Sequence, residues 1–301
     1  MDYPQQVTIV EVGPRDGLQN ETRFLDTETK IDLINQLAES GLKHIEVTSF
    51  VSAKAIPQLA DCERVFNGIK KPEDVHFSAL VPNARGMIAA LECKVREIAI
   101  FTAASETFNQ RNIHCSIAES IERFKPVLAL AKAHNIQVRG YISCALGCPY
   151  EGEILPASVA SVASQLTDLG VDEVCLGDTI GVGTPKQTKA AINAVLRQLP
   201  VSQLAMHFHD TYGQAIANIA ASLEYGVTRF DSSVAGLGGC PYARGATGNV
   251  ATEDVLYLMH GLGIETGVDI FKLVSIGEQF CKALNRKNQS KVAGALMANQ
   301  S

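Results

Sequence analysis

Two histidines one residue apart, His207-Phe208-His209, are the sharpest chemical feature of the chain. In a strand, residues i and i+2 project to one face, so both imidazoles can enter a site together. Neutral imidazoles bind divalent metals, Asp16 is the natural carboxylate to join them, and Asn249 can add an amide oxygen. This mixed nitrogen and oxygen set leaves room for water and substrate oxygens. It suits Mg²⁺ or Mn²⁺ better than a closed structural zinc. A packed, hydrogen-bonded side chain is the competing reading for either histidine taken alone.

The second feature is Gly236-Leu237-Gly238-Gly239-Cys240-Pro241-Tyr242. Glycines allow close approach to a ligand, and a thiol presented there can act as proton donor or nucleophile. A tight turn around a small buried Cys240 is the alternative. Arg15-Asp16 follows the strand stop Val12-Gly13-Pro14, where an arginine can stabilise an enolate oxygen or grip a carboxylate. Glu46 stands among apolar neighbours, so it either pairs with Arg15 or contacts the site. Asp178 either faces the site or caps the turn Gly177-Asp178-Thr179.

The elements that must position these groups alternate regularly. Strands are expected at Val7–Val12, His44–Phe50, Val75–Val81, Glu97–Thr102, Gln137–Cys144, Glu173–Asp178, Leu204–Asp210 and Arg229–Ala235. Helices are expected between them, among others at Thr27–Ser40, Ser116–His134, Ala157–Leu169, Pro185–Gln198 and Gln214–Tyr225. Ser116 with Glu119 reads as a capping box, and Gly41, Gly170 and Gly226 as helix ends. Several strands are continuously apolar, as parallel strands buried on both faces are. Eight βα units predict an α/β fold, a (β/α)₈ TIM barrel. An open doubly wound sheet is the rival, but no Gly-x-Gly-x-x-Gly follows the first strand. Residues 1–265 are expected to form the barrel catalytic domain. Residues 266–301 are expected to form a C-terminal helical extension packed on it, with a helix at Ile270–Leu284 and then a polar tail.

Barrel active sites lie at the C-terminal strand ends. There the sequence places Arg15 and Asp16, then Glu46, Thr48 and Ser49, then Ser143, then Asp178 and Thr179. His207, His209 and Asp210 follow, and last the Cys240 loop.

Composition excludes much else. With 32 acidic and 26 basic residues, a formal charge of −6 and no Trp, the chain is a poor candidate for a nucleic-acid binder. No apolar run approaches the ~18 residues of a membrane span. The eight Cys form no Cys-x-x-Cys pair. With an N-terminus that reads neither as signal peptide nor as transit segment, reduced thiols in a cytoplasmic protein are expected. Apart from Cys240, the cysteines read mostly as packing residues, Cys144 and Cys148 remaining open.

The chain resembles the 3-hydroxy-3-methylglutaryl-CoA lyases over nearly its whole length. The likeness runs through residues 10–21, 45–52, 141–152, 177–185 and, most specifically, 236–253. Arg15-Asp16 and the His-x-His also recur in isopropylmalate and homocitrate synthases, from which the Cys240 loop separates the lyases. The resemblance implies cleavage of 3-hydroxy-3-methylglutaryl-CoA to acetoacetate and acetyl-CoA with a divalent cation. It makes Asp16, His207, His209 and Asn249 the metal set. Arg15 would assist the thioester enolate and Cys240 would be the catalytic thiol, with Glu46 and Asp178 supporting the site. Asp16 or His207 would be the base. An acyl-CoA thioester is thus the expected partner, and a homo-oligomer, dimer or higher, the expected assembly. Two rival functions are an acetyl-CoA-dependent aldol synthase acting on a 2-oxo acid and a non-enzymatic barrel. Longer 3-alkyl substrates, such as an isohexenyl analogue, would need an open pocket beside the 3-methyl.

Overall fold

Eight short runs form the strands: β1 (Thr8–Glu11), β2 (His44–Ser49), β3 (His76–Leu80), β4 (Glu97–Ala103), β5 (Gln137–Ser143), β6 (Glu173–Asp178), β7 (Leu204–Phe208) and β8 (Arg229–Ser232). The structure is a computed structural model that describes residues 3–239 and 248–299. Each strand pairs in parallel with the next, and β8 returns to β1, closing the barrel. The (β/α)₈ expectation holds.

Alternation along the strands sorts their side chains into two environments. Val174 and Leu176 of β6 join helix residues such as Leu33, Leu37 and Leu166 in the large outer core. Cys175, between them, belongs to a small inner cluster with Leu80, Ala99, Tyr141 and Ala205. That inner cluster fills only part of the lumen. Glu46, Arg139, His207 and Asp231 are buried as well, so the barrel has a polar column where such barrels more often stack branched aliphatics.

Helix ends follow their local chemistry. Both halves of the Ser116/Glu119 capping box form, and Gly170 ends its helix in the left-handed conformation. Three boundaries differ from expectation. Val234 and Ala235 leave the sheet for a 3₁₀ turn, Val234–Gly236, because buried carboxylates take their N–H groups: Glu11 at 2.9 Å from Val234 N and Glu253 at 3.0 Å from Ala235 N. β7 stops at Phe208, where the returning segment Gly248–Val250 takes over its pairing. The polar tail is not structureless: Lys291–Ala298 is a helix, capped by Ser290, whose hydroxyl accepts from Ala293 N at 2.9 Å. The expected helix Ile270–Leu284 forms with those bounds. It buries Leu273, Ile276 and Phe280, and Gly277 lies close to the Val234–Gly236 turn. Among the described residues no helix is long and apolar enough to cross a membrane.

Candidate active site

Arg15 and Asp16 sit on a single π-helical turn, Gly13–Gly17, closed by Gly17 N donating to Val12 O at 3.1 Å. Such turns recur at functional sites. The turn packs tightly on the loop after β8: a Cβ on Gly17 would lie 2.9 Å from Leu237 Cβ and from Ser233 Oγ. His207 is in β7 and His209 follows its end. Asn249 reaches them because its backbone bridges His209 in an antiparallel pair. Gly238 makes room for the amide, with φ of +122° and an ideal Cβ position 2.7 Å from Asn249 Nδ2.

These elements bring one ligand atom each from Asp16, His207 and His209 within 4.8 Å of one another. Asn249 Nδ2 donates to Asp16 Oδ2 at 2.8 Å and to Leu237 O at 3.1 Å. Burial opposes charge on Asp16, but Arg15 and the two imidazoles outweigh it and hold the carboxyl at about 2. Burial and the neighbouring His207 push His209 down to about 4, so its imidazole is neutral near pH 7, the form that ligates metals. The residues fit a divalent cation on a further count. Among the described residues Asn249 Oδ1 and His209 Nδ1 are buried without a hydrogen-bond partner, and an anionic carboxylate stands beside them.

Arg15 is gripped on two sides. Its Nε and Nη2 each lie 2.6 Å from Glu46 Oε2, and Nη1 lies 2.5 Å from Asp16 Oδ1. Tyr141 OH also reaches Glu46 Oε2, at 3.4 Å. Glu46 therefore pairs with Arg15, one of its two expected roles. Asp178 accepts from Val182 N at 3.1 Å and Gly183 N at 2.9 Å, which ties down its own loop. Burial pushes it up to about 6. Thr179 Oγ1 accepts from Cys144 N, and Asp210 Oδ1 from Ala215 N, so both order loops at the rim. Cys148 Sγ accepts from Tyr150 N and Glu151 N, which also gives it a loop-ordering role. Cys240 lies outside the described residues. The seven described cysteines are free thiols, six of them buried.

The HMGL-like family profile matches residues 6–279. A 3-hydroxy-3-isohexenylglutaryl-CoA/hydroxymethylglutaryl-CoA lyase of Pseudomonas aeruginosa is 57% identical, covering 99% of both chains. The human mitochondrial hydroxymethylglutaryl-CoA lyase is 55% identical over 97% of this chain and 90% of its own. The chain belongs to the hydroxymethylglutaryl-CoA lyase family. The crystal structure of a hydroxymethylglutaryl-CoA lyase from P. aeruginosa superposes with a TM-score of 0.97 at 57% identity, covering 99% of this chain and 100% of that one. A further HMG-CoA lyase structure, from Acinetobacter baumannii in complex with coenzyme A and 3-methylmalate, has a TM-score of 0.93 at 37% identity, covering 98% and 96%.

In this member of the hydroxymethylglutaryl-CoA lyase family, sequence reasoning missed the layer beneath the strand ends. His207 Nδ1 lies 3.1 Å from Asp231 Oδ2. Asp231 pairs with Arg139 at 2.7 Å, Arg139 with Glu173 at 2.6 Å, and Arg139 Nη1 donates to Tyr141 OH at 3.1 Å. The signal was available: Arg139 and Tyr141, like Arg229 and Asp231, are inward-facing pairs at i and i+2. A second missed residue is Glu11, which accepts from Gly13 N at 2.8 Å, Val234 N at 2.9 Å and Thr252 Oγ1 at 2.7 Å. It ties the Arg15–Asp16 turn to the loop after β8 and to the segment that follows Asn249.

Proposed function

We propose that the chain cleaves 3-hydroxy-3-methylglutaryl-CoA to acetoacetate and acetyl-CoA with a divalent cation, Mg²⁺ or Mn²⁺. The observation that carries this reading is the convergence of Asp16, His207 and His209 beside the clamped Arg15 at the barrel mouth. Asp16, His207, His209 and Asn249 would hold the cation, which supplies Lewis acidity toward the tertiary hydroxyl and a carboxylate oxygen of the substrate. Asp16 or His207 removes the hydroxyl proton. The electron pair left on the C3 oxygen forms the C=O of acetoacetate as the C2–C3 bond breaks, and the pair of that C–C bond passes into the thioester enolate. Arg15, fixed by Glu46, meets the negative charge on the thioester oxygen. Cys240 returns a proton to C2, completing acetyl-CoA. Asp178 orders the loop after β6.

The P. aeruginosa relative, named for both isohexenyl and methyl substrates, supports a second reading in which longer 3-alkyl chains are also cleaved. Residues 1–265 would be the catalytic barrel and 266–301 its helical extension, a division supported by the packing of Ile270–Leu284 on the Val234–Gly236 turn. A homo-oligomer is in keeping with the exposed Tyr212, Tyr257 and Phe271, and a reducing cytoplasm with the free thiols. The test is to strip the protein with chelator, restore Mg²⁺ or Mn²⁺, and follow acetoacetate from the methyl and isohexenyl thioesters. No metal-dependent product from either substrate overturns the assignment.

A further inference from the structure

The opposite, N-terminal end of the barrel carries a second group of ligating side chains. His44, His76 and Glu97 are the first residues of three neighbouring strands, β2, β3 and β4. The register sets His44 beside His76, and their rings stack with centroids 4.6 Å apart and planes 6° apart. One ligand atom from each of the three residues lies within 4.8 Å of the others. His76 is exposed and the other two are half-buried, so an ion in solution can reach them. Glu46, on the same strand as His44, serves the mouth, so the two clusters occupy opposite ends of one barrel.

The surrounding charges leave this floor short of a cation. Arg229 pairs with Glu173 at 2.9 Å, Glu173 also holds Arg139, and Arg139 holds Asp231. Two guanidiniums therefore face Glu173 and Asp231, while Glu97 has no ion pair among the described residues. The group holds three carboxylates, Glu97, Glu173 and Asp231, against two guanidiniums, Arg139 and Arg229. Arg229 Nη2 stands 2.7 Å from His44 Nδ1 and 3.2 Å from His44 Nε2, so an ion bound by His44 must displace it. Its Nη1 donates to Glu173 Oε2 at 2.9 Å, a carboxylate contact that does not involve His44.

We infer that His44, His76 and Glu97 form a second divalent-metal site, of the zinc class, separate from the cation of the mouth. Two imidazole nitrogens and one carboxylate oxygen, with water completing the shell, fit Zn²⁺; the mouth differs in adding the amide oxygen of Asn249 and open positions for substrate oxygens. The site lies on the face of the barrel where residues serve stability, so the ion would tie together the starts of three strands. No step of the cleavage passes through it.

The full-length protein, stripped by chelator, is titrated with Zn²⁺, and bound metal is counted by mass spectrometry after desalting. Co²⁺ absorption reports on the ligand field of each site. The wild type is expected to retain two equivalents, and His76→Ala and Glu97→Gln one each, with kcat in saturating Mg²⁺ unchanged. Zn²⁺ is expected to raise the Tm of the wild type more than that of either variant. Alanine at His76 also removes the ring stacked on His44, so Glu97→Gln is the variant that keeps that contact, and circular dichroism checks both folds. One equivalent in the wild type, or two that survive both substitutions, overturns the inference.

Discussion

His207 Nδ1 stands 3.1 Å from Asp231 Oδ2, and this contact decides which nitrogen of the imidazole is left for chemistry. Burial opposes charge on Asp231, but Arg139 and His207 prevail and hold it at about 2. An anionic carboxylate there accepts the Nδ1 proton, which leaves the Nε2 lone pair free and fixes the ring. Replacing such a partner typically weakens metal binding or activity by ~10–100-fold. Asp231→Asn is therefore expected to move the Mg²⁺ activation curve to higher concentration by about that factor. High Mg²⁺ should restore part of the rate. An unchanged activation curve would show that the contact serves packing alone.

Stability should fall on the alkaline side because of carboxyls that are neutral when folded. Burial pushes Glu253 up to about 8 and Glu11 to about 7, from an ordinary value of 4.5. Between those values the folded chain holds protons that the unfolded chain has lost, so stability declines as pH rises through the window. The contribution is complete below 4.5 and gone once pH passes the folded value of about 8. Asp16 and Asp231 act in the other direction, since their folded values of about 2 lie below 3.8. Their stabilisation is present above 3.8 and is lost as pH falls toward 2. His44 and His209, held at about 3 and about 4 against an ordinary 6.5, oppose this loss below 6.5, where the unfolded chain binds their protons. The wild-type Tm should accordingly drop between about pH 6.5 and about pH 8. Glu253→Gln keeps an acceptor for Ala235 N and should flatten the upper part of that drop. Parallel Tm–pH profiles for the two proteins would contradict this.

How much of this was legible beforehand differs from residue to residue. Asp16, His207 and His209 could be read because strand ends concentrate polar groups and the i, i+2 spacing aligns two side chains. Asn249 was legible as a residue type, but its route to the site, an antiparallel bridge to His209, depends on a long-range return of the chain. Asp231 and Arg139 were passed over because strand interiors are normally apolar; their partners lie on other strands, and pairing across the lumen has no local signature. The strand-like run at Val234 and Ala235 misled for a related reason. Its backbone donors are claimed by Glu11 and Glu253, from 223 and 18 residues away. The closing helix Lys291–Ala298 did have a local signal in Ser290, masked by the polarity around it.

Gly238→Ala should act on Asn249 without touching any ligand atom. The residue has a φ of +122°, and its new Cβ would meet Asn249 Nδ2 at 2.7 Å. Backbone strain of this kind costs ~1–3 kcal/mol, and the amide must also move from its bond to Asp16. Weaker Mg²⁺ activation together with a lower Tm is expected. A lower Tm with unaltered metal dependence would mean that Asn249 does not contribute to the site.

Arg15 and Glu46 separate positioning from chemistry. Removing a group that meets transition-state charge costs ~10²–10³ in kcat, so Arg15→Met should lose that much while KM changes little. Arg15→Lys keeps the charge but cannot place two nitrogens on Glu46 Oε2, as Nε and Nη2 do at 2.6 Å, and should recover only part of the loss. Glu46 is buried behind the arginine and acts through it. Glu46→Gln replaces a charge-assisted contact worth ~1.5–3 kcal/mol, and the released guanidinium is left with Asp16 alone. Part of that energy should appear as a fall in kcat of about 10-fold or more. The decisive comparison is with metal dependence. Glu46→Gln should lower kcat with the Mg²⁺ activation curve in place, the reverse of Asp231→Asn. If both variants shift the metal curve equally, Glu46 supports the whole mouth and its effect is not confined to Arg15.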